Sequence, residues 1–153
     1  MVPGNIIDNI GQIFRKKPTR VGTIDVGDEK IKIETIGINL YKVNTAGFVE
    51  IINSGMPVII DCYTEWCGPC KMINPIFAKL ALEFDGRVKF IKVDLDEAPT
   101  IAKHFEIRGV PTLMLIKDGV KIKSMVGYSG EGKIRRTVNK MLEMEIDQFD
   151  LNL

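Results

Sequence analysis

Two short apolar runs, separated by one long helical stripe, constrain the fold of this chain most. Residues 58–63 and 88–93 form the runs. Apolar runs of this length, bounded by turn residues, are typical of strands buried on both faces of a sheet. Between them, apolar side chains recur at helical spacing from Met72 to Phe84, and Pro75 predicts a kink within that helix. The order of strand, helix and strand indicates a parallel β-α-β unit.

The segments on either side of this unit continue the alternation of strands and helices. Periodicity and turn residues predict further strands at residues 31–38, 113–116 and 120–125. They also predict three helices: a short one capped by Thr45, one over residues 97–105, and one around residues 134–142. Asp118 and Gly119 separate the last two strands and are typical of a hairpin turn. The predicted order is β-α-β-α-β-α-β-β-α. We therefore expect an α/β fold with a mixed central sheet and helices on both faces.

Composition indicates one folded domain and excludes several functions. The chain has 153 residues, of which 45% are hydrophobic and 27% are charged, as in ordinary globular proteins. Its net charge of +1 gives no overall field for non-specific nucleic-acid binding. Because no run of about 18 apolar residues exists, no transmembrane helix is predicted.

The first 30 residues differ from those that follow. They contain a helical stripe of apolar residues and then a basic run, namely Ile6, Ile10, Ile13 and Phe14 followed by Arg15, Lys16 and Lys17. We predict an N-terminal extension over residues 1–30, the main domain over residues 31–146 and a C-terminal tail over residues 147–153. The start lacks the pattern of a secretory signal, which favours a cytoplasmic location. An organelle presequence is the alternative.

The strongest chemical signal is the sequence Cys67-Gly68-Pro69-Cys70, at the predicted start of the long helix. The first turn of a helix has unpaired N–H groups and a positive dipole end, both of which favour a thiolate at Cys67. Cys70 follows about one helical turn later, so the two sulfur atoms can meet. We expect Cys67 to be the exposed nucleophile that attacks a substrate disulfide, and Cys70 to be the buried thiol that resolves the mixed disulfide.

A metal site is the alternative role for the cysteines. Cys62, Cys67 and Cys70 match the first part of an iron–sulfur spacing, but the chain has no fourth cysteine. A zinc site would need His104 as the fourth ligand, and His104 belongs to a separate helix pattern. We therefore expect no metal, and interpret Cys62 as a small buried hydrophobic residue.

The residues around the cysteine pair resemble the thioredoxin family. Residues 66–70 read WCGPC, and Lys71 follows as it commonly does in that family. Matches outside this motif are Asp61, Pro75, Lys92, the loop RGVPT at residues 108–112, Gly119 and Gly127. The resemblance covers about residues 31–146 and implies the thioredoxin fold. Cys62 and Tyr63 depart from it, because the family often has Phe and Trp there.

The resemblance also implies roles for individual residues. Asp61 would be a buried carboxylate that relays a proton to or from Cys70 through water, and Lys92 would offset its charge. Asp61 and Lys92 would form the catalytic group together with Cys67 and Cys70. Pro111 would follow a cis peptide bond and leave adjacent backbone free to pair with substrate. The implied substrate-binding residues are Trp66, Gly68, Pro69, Gly109, Val110 and Pro111.

The expected function is reduction of protein disulfides by thiol–disulfide exchange, as an enzyme-like electron carrier. Gly68-Pro69 is the dipeptide associated with the reducing members of the family. The implied partners are a thioredoxin reductase and disulfide-containing target proteins, with no nucleic acid, no membrane and no cofactor beyond the dithiol. The chain is expected to be a monomer. The alternatives are a thiol oxidase or isomerase of the same fold, and a binding module whose dithiol is idle.

Overall fold

The computed structural model of the protein describes residues 18–145, so the stripe at residues 6–14 and the predicted tail at 147–153 lie outside the described residues. The described part contains seven strands and four helices. Their bounds are β1 Thr19–Arg20, β2 Ile33–Gly37, β3 Leu40–Val43, α1 Thr45–Ile52, β4 Val58–Tyr63, α2 Gly68–Glu83, β5 Lys89–Asp94, α3 Pro99–His104, β6 Thr112–Lys117, β7 Val120–Val126 and α4 Glu131–Glu143.

The strands form one mixed sheet, in the order β1-β7-β6-β4-β5-β3-β2. Strands β3, β4 and β5 run parallel, while β6 and β7 form an antiparallel hairpin that pairs with β4. The buried β4 therefore lies at the centre, flanked by β5 and β6. Its register places Asp61 beside Lys92 on β5 and beside Leu113 on β6. The predicted mixed sheet and its two buried parallel strands are confirmed.

Helices cover both faces of the sheet, as predicted. Helices α2 and α4 pack on one face, where the ring of Phe90 contacts those of Phe77 and Phe84. Helices α1 and α3 pack on the other, where Phe48 makes an edge contact with Phe105. Burial of apolar area in both layers, worth about 25 cal/mol per Å², stabilises the sheet from two sides.

The start of the domain differs from the prediction. A strand forms within residues 31–38 as predicted, but this strand, β2, is exposed at the edge of the sheet. The sequence did not predict β3, which is the strand that pairs with β5. A turn at Asn39, whose φ is 54°, joins β2 to β3. The Asn39 amide donates hydrogen bonds to the carbonyls of Ala81 and Val88, at 2.9 and 2.7 Å. These bonds tie the turn to α2 and to the residue that precedes β5.

The cap of α1 also differs from the prediction. Asn44, rather than Thr45, is the N-cap, and its Oδ1 accepts a hydrogen bond of 2.8 Å from the Gly47 N–H. The same oxygen accepts the Lys32 N–H at 3.0 Å, while the Asn44 amide donates to the Lys30 carbonyl at 2.7 Å. One side chain thus caps the helix and fixes the segment that precedes β2.

Residues 18–30 pack against the domain. Strand β1 pairs with β7, and Val21 donates a backbone hydrogen bond of 2.9 Å to Gly119. Val21 and Ile24 are only 4% and 7% exposed within the apolar layer that contains α1 and α3. Glu29 accepts the Ala46 N–H at 2.7 Å, at the start of α1. The predicted domain boundary at residue 30 stays a prediction, and the packed core extends upstream to Val21.

Candidate active site

The two cysteines lie at the N-terminus of α2, directly after the central strand and a short turn. They form a disulfide, with 5.3 Å between their Cα atoms. Cys67 is the N-cap residue, and its sulfur accepts a hydrogen bond of 3.2 Å from the Cys70 N–H. Pro69 occupies the first turn, where an N–H would have no partner in the helix. The helix start therefore offers both an N–H donor and a positive dipole to the Cys67 sulfur.

The expected contrast between an exposed Cys67 and a buried Cys70 is not seen in this disulfide form. The two residues are 4% and 2% exposed. Tyr63 and the partly buried Val110 pack against them in one small apolar cluster. What distinguishes the cysteines is their place in the helix. Cys67 is the N-cap, where its sulfur accepts a hydrogen bond from the Cys70 N–H, and Cys70 lies within the first turn.

Asp61 and Lys92 form a buried pair beneath the dithiol. Lys92 Nζ donates to Asp61 Oδ2 at 2.6 Å, and also to Asn74 Oδ1 at 2.6 Å. Among the described residues, Asp61 Oδ1 has no hydrogen-bond partner. Burial raises the pKa of the Asp61 carboxyl, while the charge and hydrogen bond of Lys92 oppose that rise. Asp61 therefore holds a proton more readily than an exposed aspartate does.

A cavity of about 350 Å³ adjoins the pair. Its lining residues are Tyr63, Thr64, Glu65, Cys70, Lys71, Asn74 and Lys92. The buried Thr64 Oγ1 has no hydrogen-bond partner among the described residues, so it is free to bind water there. The cavity brings Cys70 and Lys92 to one solvent-accessible space. Sequence reasoning missed Asn74, although its position four residues after Cys70 places both on one face of α2.

The implied substrate-binding residues surround the dithiol but differ in exposure. Trp66 is 74% exposed, and its indole N–H donates to Asp96 Oδ2 at 3.2 Å. Gly68 and Pro69 are also exposed, whereas Pro111 is buried. The Val110–Pro111 peptide bond is cis, as the resemblance implied. Asp96 was not identified from the sequence, because only the fold brings it next to the Trp66 side chain.

The structure separates His104 and Cys62 from the dithiol. His104 donates a hydrogen bond from Nε2 to the Val21 carbonyl. Cys62 is a free, fully buried cysteine, and burial followed by the nearby Asp61 charge raises the pKa of its thiol. Within residues 18–145, no group of three or more His, Cys, Asp or Glu side chains could hold a metal ion. No helix in that same range is long and apolar enough to cross a membrane.

Comparison with known proteins assigns the family. The thioredoxin family model matches residues 39–140. Thioredoxin from Pyropia yezoensis is 35% identical over 106 residues, which cover 69% of this chain and 99% of the relative. Thioredoxin from Staphylococcus haemolyticus is 38% identical over 103 residues, covering 67% and 98% of the two chains. The chain therefore belongs to the thioredoxin family.

Solved structures agree with this assignment. Oxidised mitochondrial thioredoxin 3 from Saccharomyces cerevisiae superposes with a TM-score of 0.59 and 36% identity, covering 65% of this chain and 92% of that chain. A second match, with a TM-score of 0.59 and 35% identity, comes from work on thiol resolution in yeast mitochondrial 1-Cys peroxiredoxin via glutathione and thioredoxin systems. The fold is the thioredoxin fold. Cys67 and Cys70 are a redox-active pair that carries electrons by thiol–disulfide exchange.

Proposed function

We propose that the protein reduces disulfide bonds in target proteins and is itself reduced again by a thioredoxin reductase. The observation that carries this proposal is the Cys67–Cys70 disulfide at the N-terminus of α2. A helix start stabilises the thiolate that attacks, and the second cysteine is one turn away. Gly68 and Pro69 lie between the two cysteines and match the dipeptide of the reducing family members. They therefore favour reduction over oxidation or isomerisation.

The exchange transfers two electrons in two steps. In the first, the Cys67 thiolate attacks one sulfur of the target disulfide, a mixed disulfide forms, and the other target sulfur leaves as a thiolate. In the second, Cys70 loses its proton and attacks the Cys67 sulfur. The second target thiolate then leaves, and the Cys67–Cys70 disulfide forms. The target is reduced by two electrons, and the reductase later returns these electrons to the pair.

Asp61 is proposed as the group that accepts the proton of Cys70 during the second step. Its carboxyl is buried, and its raised pKa makes it a better proton acceptor than an exposed aspartate. The cavity that Cys70 shares with Lys92 supplies room for a bridging water. Lys92 is proposed to stabilise the Asp61 carboxylate, since its ammonium lies 2.6 Å away.

The proposed substrate surface consists of residues around the dithiol. The exposed indole of Trp66 and the partly buried Val110 supply apolar area, while Gly68 and Gly109 allow a close approach. Pro69 adds to the exposed surface. The buried Pro111 is proposed to leave the adjacent backbone free to pair with the substrate. Such a surface suits an extended, disulfide-containing segment of another protein.

The remaining assignments are also proposals. We place the domain at residues 31–146, with an extension before it and a tail after it. We propose that the chain works as a monomer with no organic cofactor, in the cytoplasm, with an organelle as the alternative. Imaging of the full chain with a C-terminal fluorescent tag tests the location.

Insulin reduction by dithiothreitol tests the function. The wild type is expected to accelerate insulin precipitation, and Cys67→Ser is expected to return it to the uncatalysed rate. Cys62→Ala is the matched control, because it removes a buried cysteine outside the dithiol and should keep the activity. An uncatalysed rate with the wild type would support the idle binding module. Oxidation of reduced, unfolded ribonuclease faster than insulin reduction would support the oxidase.

A further inference from the structure

The ammonium group of Lys92 has two side-chain acceptors. Asp61 Oδ2 and Asn74 Oδ1 each lie 2.6 Å from Nζ. Asp61 is fully buried on β4, whereas Asn74 is exposed on α2 at the rim of the cavity. Lys92 on β5 therefore connects a buried carboxylate to a solvent-facing amide across the space beside Cys70.

We propose that Asn74 is a positioning residue that holds the Lys92 ammonium against Asp61 while Cys70 resolves the mixed disulfide. The inference rests on the proposed role of Asp61 as proton acceptor. Asn74 acts through Lys92, because its Oδ1 is hydrogen-bonded to the ammonium.

Aromatic rings flank the Lys92 ammonium on its protein side, and the cavity lies on its other side. The ring of Tyr63 lies 4.5 Å from Nζ on one side, and the ring of Phe77 lies 5.9 Å away. Rings accept a cation on their faces but do not fix its direction. Asn74 supplies the directional contact on the solvent side. Without it, the ammonium is free to turn into the cavity towards water and away from Asp61.

Other charged groups near the cavity do not replace this contact. The titratable residues that line it besides Lys92 are Tyr63, Glu65, Cys70 and Lys71. Of the charged groups described, Lys92 is the one that opposes the rise in the Asp61 pKa. The neighbouring Cys62 is fully buried, and its raised thiol pKa keeps it neutral. Loss of the Asn74 contact therefore weakens the single stabilising charge on the Asp61 carboxylate. Asp61 would then remain protonated to a higher pH.

Resolution kinetics over a pH series test the inference. The reduced protein is mixed with one equivalent of dithiobis(nitrobenzoate), so the first thionitrobenzoate released reports attack by Cys67 and the second reports resolution by Cys70. In Asn74→Ala, we expect the pH profile of the second release to move to higher pH. Below the midpoint the rate should fall about threefold, the effect of a hydrogen bond of ordinary net strength. The rate at high pH should be unchanged, because the cysteines are intact.

A control variant and a control background separate positioning from a structural effect. Asn139→Ala makes the same change on an exposed position of α4 and should leave the profile unmoved. In the Lys92→Met background, adding Asn74→Ala should cause no further shift, because the ammonium is gone. An unmoved profile in Asn74→Ala, or an equal shift with and without Lys92, would overturn the inference.

Asp61→Asn separates this inference from the proposed function. Loss of the pH dependence in Asp61→Asn, together with an unmoved profile in Asn74→Ala, would overturn the role of Asn74 alone. A wild-type profile in Asp61→Asn would overturn the proton relay and the role of Asn74 with it.

Discussion

The Lys92 ammonium lies 2.6 Å from the carboxylate of Asp61, yet the Asp61 pKa is raised. Burial of the carboxyl thus outweighs attraction to the neighbouring charge. The pair is side by side because β4 and β5 are parallel and in register at these two residues. A carboxylate buried in this way lowers the stability of the fold unless its partner compensates for the lost hydration.

Asp61→Asn is expected to slow resolution and to stabilise the fold. The amide cannot accept the Cys70 proton, so the second step should slow while attack by Cys67 continues. The neutral amide also avoids burial of a charge, and should raise the free energy of unfolding at neutral pH by on the order of 1 kcal/mol. Thionitrobenzoate release measures the first effect and urea unfolding of the oxidised protein measures the second. An unchanged resolution rate and unchanged stability would refute both.

The same carboxyl should make stability depend on pH. Its folded-state pKa is above its unfolded value, so the folded protein binds more protons between the two. The free energy of unfolding should therefore fall as pH rises from about 4, near the unfolded pKa, towards the folded pKa. Asp61→Asn should flatten this part of the curve, whereas Asp85→Asn, at an exposed position, should not. Equal slopes in Asp61→Asn and wild type would contradict the expectation.

The two cysteines should behave differently when replaced. Cys67→Ser should abolish disulfide reduction, while Cys70→Ser should accumulate a stable mixed disulfide through Cys67. In the reduced wild type, iodoacetamide near neutral pH should label Cys67 first, because the helix start favours its thiolate. Peptide mass spectrometry identifies the labelled residue, and first labelling of Cys70 or Cys62 would reverse the assignment.

The sequence could predict the parts of the fold that rest on local patterns. The apolar run at residues 58–63, the stripe of α2 and the hairpin at Gly119 each carry their own signal, and each forms as predicted. The roles of Cys67 and Cys70 followed from their own motif. The roles proposed for Asp61 and Lys92 came from the resemblance, because nothing local links these two residues. Asn74, Asp96 and Val21 were missed because their partners lie far along the chain, and only the packed sheet brings them together.

The segment before β2 should contribute to stability. Ile24 is 7% exposed, so Ile24→Ala should lower the free energy of unfolding by about 2 kcal/mol or more. Ile38→Ala makes the same change at a side chain that is 63% exposed, and should cost less than about 0.5 kcal/mol. Urea unfolding compares the two, and equal losses would show that residues 18–30 are not part of the core. Insulin reduction should persist in both variants.

Gly47 should tolerate no side chain. Replacing a glycine inside a helix with alanine normally raises the free energy of unfolding by up to about 1 kcal/mol. At Gly47, however, the new Cβ would lie 2.4 Å from the Lys32 carbonyl oxygen, a backbone atom that cannot move aside freely. Gly47→Ala should therefore lower the melting temperature. Gly132→Ala in α4 is the matched control, since its Cβ would meet only the flexible end of Arg136 at 3.2 Å. A higher melting temperature in Gly47→Ala would show that the contact yields.

The redox potential of the Cys67–Cys70 pair tests most directly whether the protein donates electrons. Trp66 is the one tryptophan in the chain and adjoins Cys67, so its fluorescence can report the ratio of dithiol to disulfide in dithiothreitol buffers. We expect a midpoint near about −270 mV, the value typical of thioredoxins. Such a pair reduces the disulfides of its targets. A midpoint near about −120 mV, as in a strong thiol oxidase, would contradict the proposed direction of electron flow.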